Sequence, residues 1–215
     1  TGLARATAEF NASDEAVAAG DAPEYTYGVI VCALRMVLPF FSRYYQAFFD
    51  MHAAEDPRRV TSLLSYAAAA DAISARDDLG IPVVAFDIAG AEQGFYAKDH
   101  VAAFQLAHSH FLNKTVHAGE GYGPESIRQA IRDLHAQRIG HGYNLLNAHA
   151  VSSPEIEDPE DYVRRLAEHV AEHRITLEVC LTSNEGTMPE LVGALEKHAL
   201  GNFIDNNISV AICTD

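Results

Sequence analysis

Positive charge is scarce in this chain. Its 215 residues carry 15 lysines and arginines against 30 aspartates and glutamates, a formal net charge of -15 at pH 7. So acidic a surface argues against nucleic acid, whose phosphates are gripped by cations, and against anionic membranes as main partners. It is compatible with a small neutral substrate. Cysteine is scarce too, with Cys32, Cys180 and Cys213 alone and no C-x-x-C pair. Each lies in an apolar run (VIVCAL, LEVCLT, VAICTD), where a free cysteine acts as a small buried hydrophobe. This excludes a disulfide scaffold and points to a reducing compartment, the cytoplasm. No apolar stretch approaches the roughly 20 residues of a membrane-spanning helix. The opening TGLARATAEF is not built like a signal peptide. An initiator methionine is also missing, so further sequence is expected upstream of Thr1. Repeats and low-complexity linkers are absent, which predicts a single domain over residues 1–215.

What is present is ordinary for a globular protein, 48% hydrophobic and 21% charged residues. Short apolar runs alternate with longer amphipathic stretches. The runs are 27–34, 81–89, 114–118, 138–142, 175–181 and 208–215, most of them rich in Val and Ile without clean alternation. That is the signature of strands buried on both faces. Between them, Pro57 and Gly80 bracket one predicted helix. Pro124 opens another, with Ile127, Ile131 and Leu134 on one face. Asp158 and Pro159 open a third, with the stripe Val163, Leu166 and Val170. Residues 99–112 and 189–200 also read as helices. The alternation predicts a parallel sheet covered by helices, either doubly wound or a (β/α)8 barrel.

Both architectures place function beyond the carboxyl ends of the strands. The residues there are Arg35, Asp87, His117 with Glu120, His141, Thr182 with Ser183, and Asp215. Histidine, carboxylate and a glycine-rich turn at successive strand ends suggest a mononuclear metal hydrolase. Two further histidine pairs read as surface or packing residues. His108 and His110 fall in a helix, where residues two apart diverge by about 200°. His169 and His173 match the H-x-x-E-H pattern of zinc peptidases, but the apolar stripe of their helix is explained by packing alone.

The segments FDIAGAE (86–92), KTVHAGE (114–120), RIGHGYNLL (138–146), LEVCLTSN (177–184) and VAICTD (210–215) resemble the adenosine/adenine/AMP deaminase family. The resemblance is closest to its adenosine deaminase branch and runs from about Tyr25 to Asp215. It implies a (β/α)8 barrel of the TIM type with one catalytic Zn2+ at the carboxyl rim. By the same resemblance, His117 and Asp215 are zinc ligands, Glu120 protonates purine N1, and His141 orients or deprotonates the attacking water. Gly90 contacts the purine through its backbone, and Asp87 shapes that loop. Gly119, Gly121 and Gly123 let the backbone close around a flat ring. The family's first strand carries an H-x-H pair of further ligands, and no such strand is found here. Six of the eight strands are visible, so the resemblance implies a barrel without its first strands and carboxyl-terminal tail.

The expected activity is zinc-dependent hydrolysis of a 6-aminopurine, adenosine and 2'-deoxyadenosine foremost, to inosine and ammonia. The expected partner is a small purine nucleoside. Alternatives are an adenine deaminase of the same family, or a truncated, deaminase-like fragment that only binds. AMP fits less well, because no basic cluster stands near the motifs. The other zinc deaminase design, H-x-E with P-C-x-x-C, is excluded by the lack of C-x-x-C.

Overall fold

A computed structural model describes residues 2–13 and 24–214. Six strands form one parallel sheet, β1 (Val29–Leu34), β2 (Val83–Ala89), β3 (Asn113–Ala118), β4 (Arg138–His141), β5 (Thr176–Val179) and β6 (Val210–Ile212). Their spatial order is their chain order, β1 to β6. A doubly wound sheet reverses direction at its middle; one that never reverses is a barrel wall. The α/β fold is therefore of the (β/α)8 type. It is incomplete: among the described residues β1 and β6 each pair on one side only.

The helices are α1 (Gly2–Asn11), α2 (Arg43–Met51), α3 (Pro57–Asp77), α4 (Val101–Ser109), α5 (Pro124–Leu134), α6 (Pro159–Glu172), α7 (Leu181–Thr187) and α8 (Leu200–Asp205). Their starts follow capping chemistry. The Asp56 side chain accepts from the Arg58 amide ahead of Pro57, and Asp158 accepts from the Asp161 amide ahead of Pro159. On α6 the predicted stripe of Val163, Leu166 and Val170 is buried. On α5 it is Ile127, Ala130 and Leu134 that are fully buried, with Ile131 at the edge. These side chains pack on the outer face of the sheet against Phe86, Ile88, Val116, Ile139 and Leu177. Phe104 of α4 lies with its ring 5.1 Å from that of Phe86. Burying each such side chain contributes about 1.5–3 kcal/mol. Among the described residues no helix is long and apolar enough to cross a membrane.

Two expectations fail. Residues 189–200 are not a helix but two 3-10 turns, Pro189–Leu191 and Leu195–Lys197. Gly193, at φ +67°, breaks the helical path between them, and α8 starts only at Leu200. Cys180 is buried as expected, but Cys32 is exposed. Alternate residues of a strand face opposite sides, so Ala33 enters the core while Cys32 points to the uncovered inner face of an edge strand.

One polar side chain sits deep in the packing. His100, 2% exposed, closes a 3-10 turn over α3, with Nδ1 2.8 Å from Ser65 Oγ. Ser65 Oγ donates to the Thr61 carbonyl at 3.1 Å, so His100 donates to Ser65. Burial, with help from the Arg35 charge, pushes the His100 pKa down from 6.5 to about 4. The folded state thus holds neutral histidine, and the unfolded state binds the proton first as pH falls. This site's stabilisation is complete above pH 6.5 and drains away towards pH 4, up to about 3 kcal/mol in all. Urea denaturation of wild type and His100→Gln across that range checks it. The variant is expected to lose stability less steeply, and parallel profiles would contradict the assignment.

Candidate active site

The strand ends converge on one cleft of about 860 Å³. It is lined from β2 by Gly90 and Glu92, from β3 by His117 and Glu120, and from β4 by His141 and Asn144, with Tyr96 and Tyr122 as aromatic walls. The parallel ladder levels these ends. His117 lies opposite Gly140, and Ala118 opposite His141. A Cβ on residue 140 would stand 3.1 Å from the His117 ring, so glycine there gives the imidazole its space. Beyond β3, Gly119 turns at φ +74°, whereas a side chain at Gly121 would meet nothing within 4 Å. Of the three glycines in the turn, Gly121 is therefore not needed sterically.

His117 Nδ1 lies 2.9 Å from Asp87 Oδ2, and Asp87 is 5% exposed. A carboxylate at Nδ1 holds the proton on that nitrogen and leaves the lone pair on Nε2, the usual arrangement of a metal-ligating histidine. Asp87 thus sits against the His117 ring, while its other oxygen accepts from the Ile88 amide at 2.6 Å. The His117 and His141 rings meet edge to face, their centroids 5.2 Å apart. His141 has a left-handed backbone, φ +63°, uncommon for a side-chain-bearing residue and a mark of functional sites. Its Nε2 is 3.6 Å from Glu120 Oε2, and Thr187 donates to Glu120 Oε1 at 3.2 Å. From this part of the chain Thr187 lines the cleft, and Thr182 and Ser183 do not.

Four more residues hold this geometry, and of them the sequence singles out only Arg35, as a strand end. Glu92, 6% exposed, accepts from the amides of Gly119 at 3.2 Å and Glu120 at 3.4 Å. Arg35 donates to the carbonyls of His117 at 2.6 Å and Phe95 at 2.9 Å. Asn144 donates to the carbonyls of Glu120 at 3.0 Å and Tyr122 at 3.3 Å. Asn184 contacts His141 Nδ1 at 3.2 Å. Burial raises the Glu92 pKa and lowers that of Arg35, and the attraction between the two opposes both shifts. A carboxylate just after a glycine turn, as in DIAGAE, is the one hint the sequence offers for Glu92.

Asp215 lies outside the described residues. Among the described residues no three His, Cys, Asp or Glu side chains are grouped so as to hold a metal ion. The other histidine pairs stand away from the cleft. The His108 ring stacks on His135 at 4.7 Å, and His169 and His173 sit 3.9 Å apart on α6.

Known proteins resemble this chain in sequence and in fold. A family model described as adenosine deaminase matches residues 46–215. An adenosine deaminase from Klebsiella pneumoniae is 41% identical over 133 residues, 62% of this chain and 35% of that protein. The matched region thus spans about a third of the length of that relative. An amidohydrolase structure from Burkholderia ambifaria, described with bound zinc, superposes with a TM-score of 0.58 at 18% identity, covering 87% of this chain and 41% of that one. An Arabidopsis protein described as ADAL complexed with IMP superposes with a TM-score of 0.57 at 20% identity, over 87% of this chain and 42% of its own.

Glu92 provides the test of how the rim is held. Glu92→Ala leaves two amides without this acceptor and Arg35 with Asp87 as its remaining acidic neighbour. We expect a loss of about 1–3 kcal/mol in urea denaturation and faster hydrogen exchange at Gly119 and Glu120. Unchanged exchange at both amides would show that the loop is held by something else.

Proposed function

The chain belongs to the adenosine deaminase family, and we propose that its cleft removes the amino group of adenosine by zinc-dependent hydrolysis. The observation that carries this reading is one rim holding Glu120 Oε2 3.6 Å from His141 Nε2 beside the His117–Asp87 pair at 2.9 Å. A proton-carrying group, a water-orienting group and a metal ligand then face one space. Tyr96 and Tyr122 line the same cleft and give a purine aromatic surface, their own rings tilted against each other with centroids 6.1 Å apart. Gly90 lines the same cleft and offers backbone to the ring.

His117 fits zinc in kind, because its Nδ1 faces a carboxylate and its Nε2 carries the lone pair. Asp215 would join it, with the remaining ligands drawn from outside the described residues. When bound, zinc lets a water molecule ionise near neutral pH. The protein groups do the rest. Glu120 delivers a proton to N1, which draws electrons from C6. His141 holds the incoming oxygen against C6. The oxygen adds to C6 and the C6–N bond breaks. One proton of the water ends on N1 through Glu120, and the other leaves with the amine as ammonia.

Charge argues for an unphosphorylated substrate. No lysine or arginine is among the described residues lining the cleft, while Glu92 and Glu120 are. A phosphate there would meet like charge. The reading is tested on the full-length protein loaded with zinc, assayed against adenosine, 2'-deoxyadenosine, adenine and AMP. Adenosine is expected to be the preferred substrate, and Glu120→Gln to lower kcat by about 10²–10⁴-fold. Faster turnover of AMP, or a Glu120→Gln variant with kcat within twofold of wild type, would overturn it.

A further inference from the structure

His141 sits at the centre of the proposed chemistry, and its two ring nitrogens are not equivalent. Which one carries the proton is set by a chain of contacts that begins 59 residues away, at the amide of Leu200. That amide lies 3.0 Å from His198 Nδ1. A backbone N–H can only donate, so His198 Nδ1 presents its lone pair. A neutral imidazole then carries its hydrogen on Nε2, and burial holds the His198 pKa below its ordinary value, keeping the ring neutral. His198 Nε2 lies 3.1 Å from Asn184 Oδ1, which accepts that hydrogen. The amide orientation of Asn184 is thereby fixed. Its Nδ2, which can only donate, faces His141 Nδ1 at 3.2 Å. Asn184 is 0% exposed and His141 1%, so the chain is closed off from solvent.

We propose that Asn184 and His198 are positioning residues that lock His141 as the tautomer with its proton on Nε2, the nitrogen nearer Glu120. Resting on the deaminase reading, this makes His141 a hydrogen-bond donor to the incoming oxygen and denies it the role of general base. An acceptor at Nε2 would need the hydrogen on Nδ1, where the Asn184 amide already donates. The relay also accounts for asparagine at 184. An aspartate there would accept from both rings and place the His141 proton on Nδ1.

Nitrogen-15 NMR of histidine-labelled full-length protein reads the tautomer directly, without any assay of activity. Wild-type His141 is expected to show protonated Nε2 and unprotonated Nδ1. Asn184→Asp is expected to reverse that pattern and to lower kcat about 10- to 100-fold with KM within about threefold. Asn184→Leu, which removes the contact without replacing it, is expected to show a mixture of tautomers. Protonated Nδ1 in wild type, or an unchanged His141 pattern in Asn184→Asp, would overturn the relay. The wild-type spectrum decides alone if neither variant folds. If no 6-aminopurine is turned over, the functional reading fails while the spectrum still decides the tautomer.

Discussion

The site depends on one constraint, the register of the parallel ladder. Parallel strands joined by outer helices all end on the same side. Here the ladder sets Cys32 against Asp87, His117 against Gly140, and Gly140 against Glu178. A slip of one residue in β3 would turn His117 outward into the helix layer and bring Val116 to the inner face. The apolar outer residues prevent that slip. Val116, Ile139 and Leu177 are fully buried under the helices, so the packing that stabilises the sheet also aims the rim residues inward. Lower on the inner face, Arg138 pairs with Glu178, and Thr115 donates to the same carboxylate. Charge on that face is matched before the rim is reached.

Above the ladder the loops are held by polar groups that themselves are buried. Arg35 anchors the His117 carbonyl, and Glu92 anchors the next two amides after Ala118. The two buried charges oppose each other's desolvation, which is the condition for keeping either one inside. Asn144 completes the frame from β4, its side chain donating to the carbonyls of Glu120 and Tyr122 and its backbone amide to that of Gly119. The turn after β3 is thus held by side chains from three different strand ends, and a glycine-rich segment keeps one shape.

Much of this was legible in the sequence, because strand runs and amphipathic helices write their periods directly into residue order. His117, Glu120 and His141 stand out only together: each alone reads as a structural histidine or a loop carboxylate, but successive strand ends set all three on one rim. Asp87 was visible, yet its contact with His117 was not, for it joins residues 30 apart in sequence. Arg35, Glu92 and Asn184 act through contacts between elements, which no local pattern encodes. The mistaken helix over 189–200 has a local cause, since the spacing of its apolar residues suits a helix while Gly193 adopts a backbone that ends one. Cys32 misled for the opposite reason: an apolar run predicts burial only where another layer covers it.

Two glutamates from different loops meet different surroundings in the cleft. Both line it. Glu92 turns its oxygens to backbone amides and is shielded from water, so its charge serves the shape of the loop. Glu120 is the more open of the two, with its carboxylate against the Thr187 hydroxyl and near His141. In the deaminase reading proposed above, where Glu120 gives up and regains a proton in each turnover, it cannot also be the acceptor that holds its own loop, because protonation would loosen the geometry it needs. Dividing the tasks between two residues removes that conflict. The same logic applies to the histidines. His117 Nδ1 faces the Asp87 carboxylate, and His141 Nδ1 faces the Asn184 amide. In the proposed arrangement these two imidazoles, with rings 5.2 Å apart, offer different groups to the same space, a lone pair from His117 and an N–H from His141.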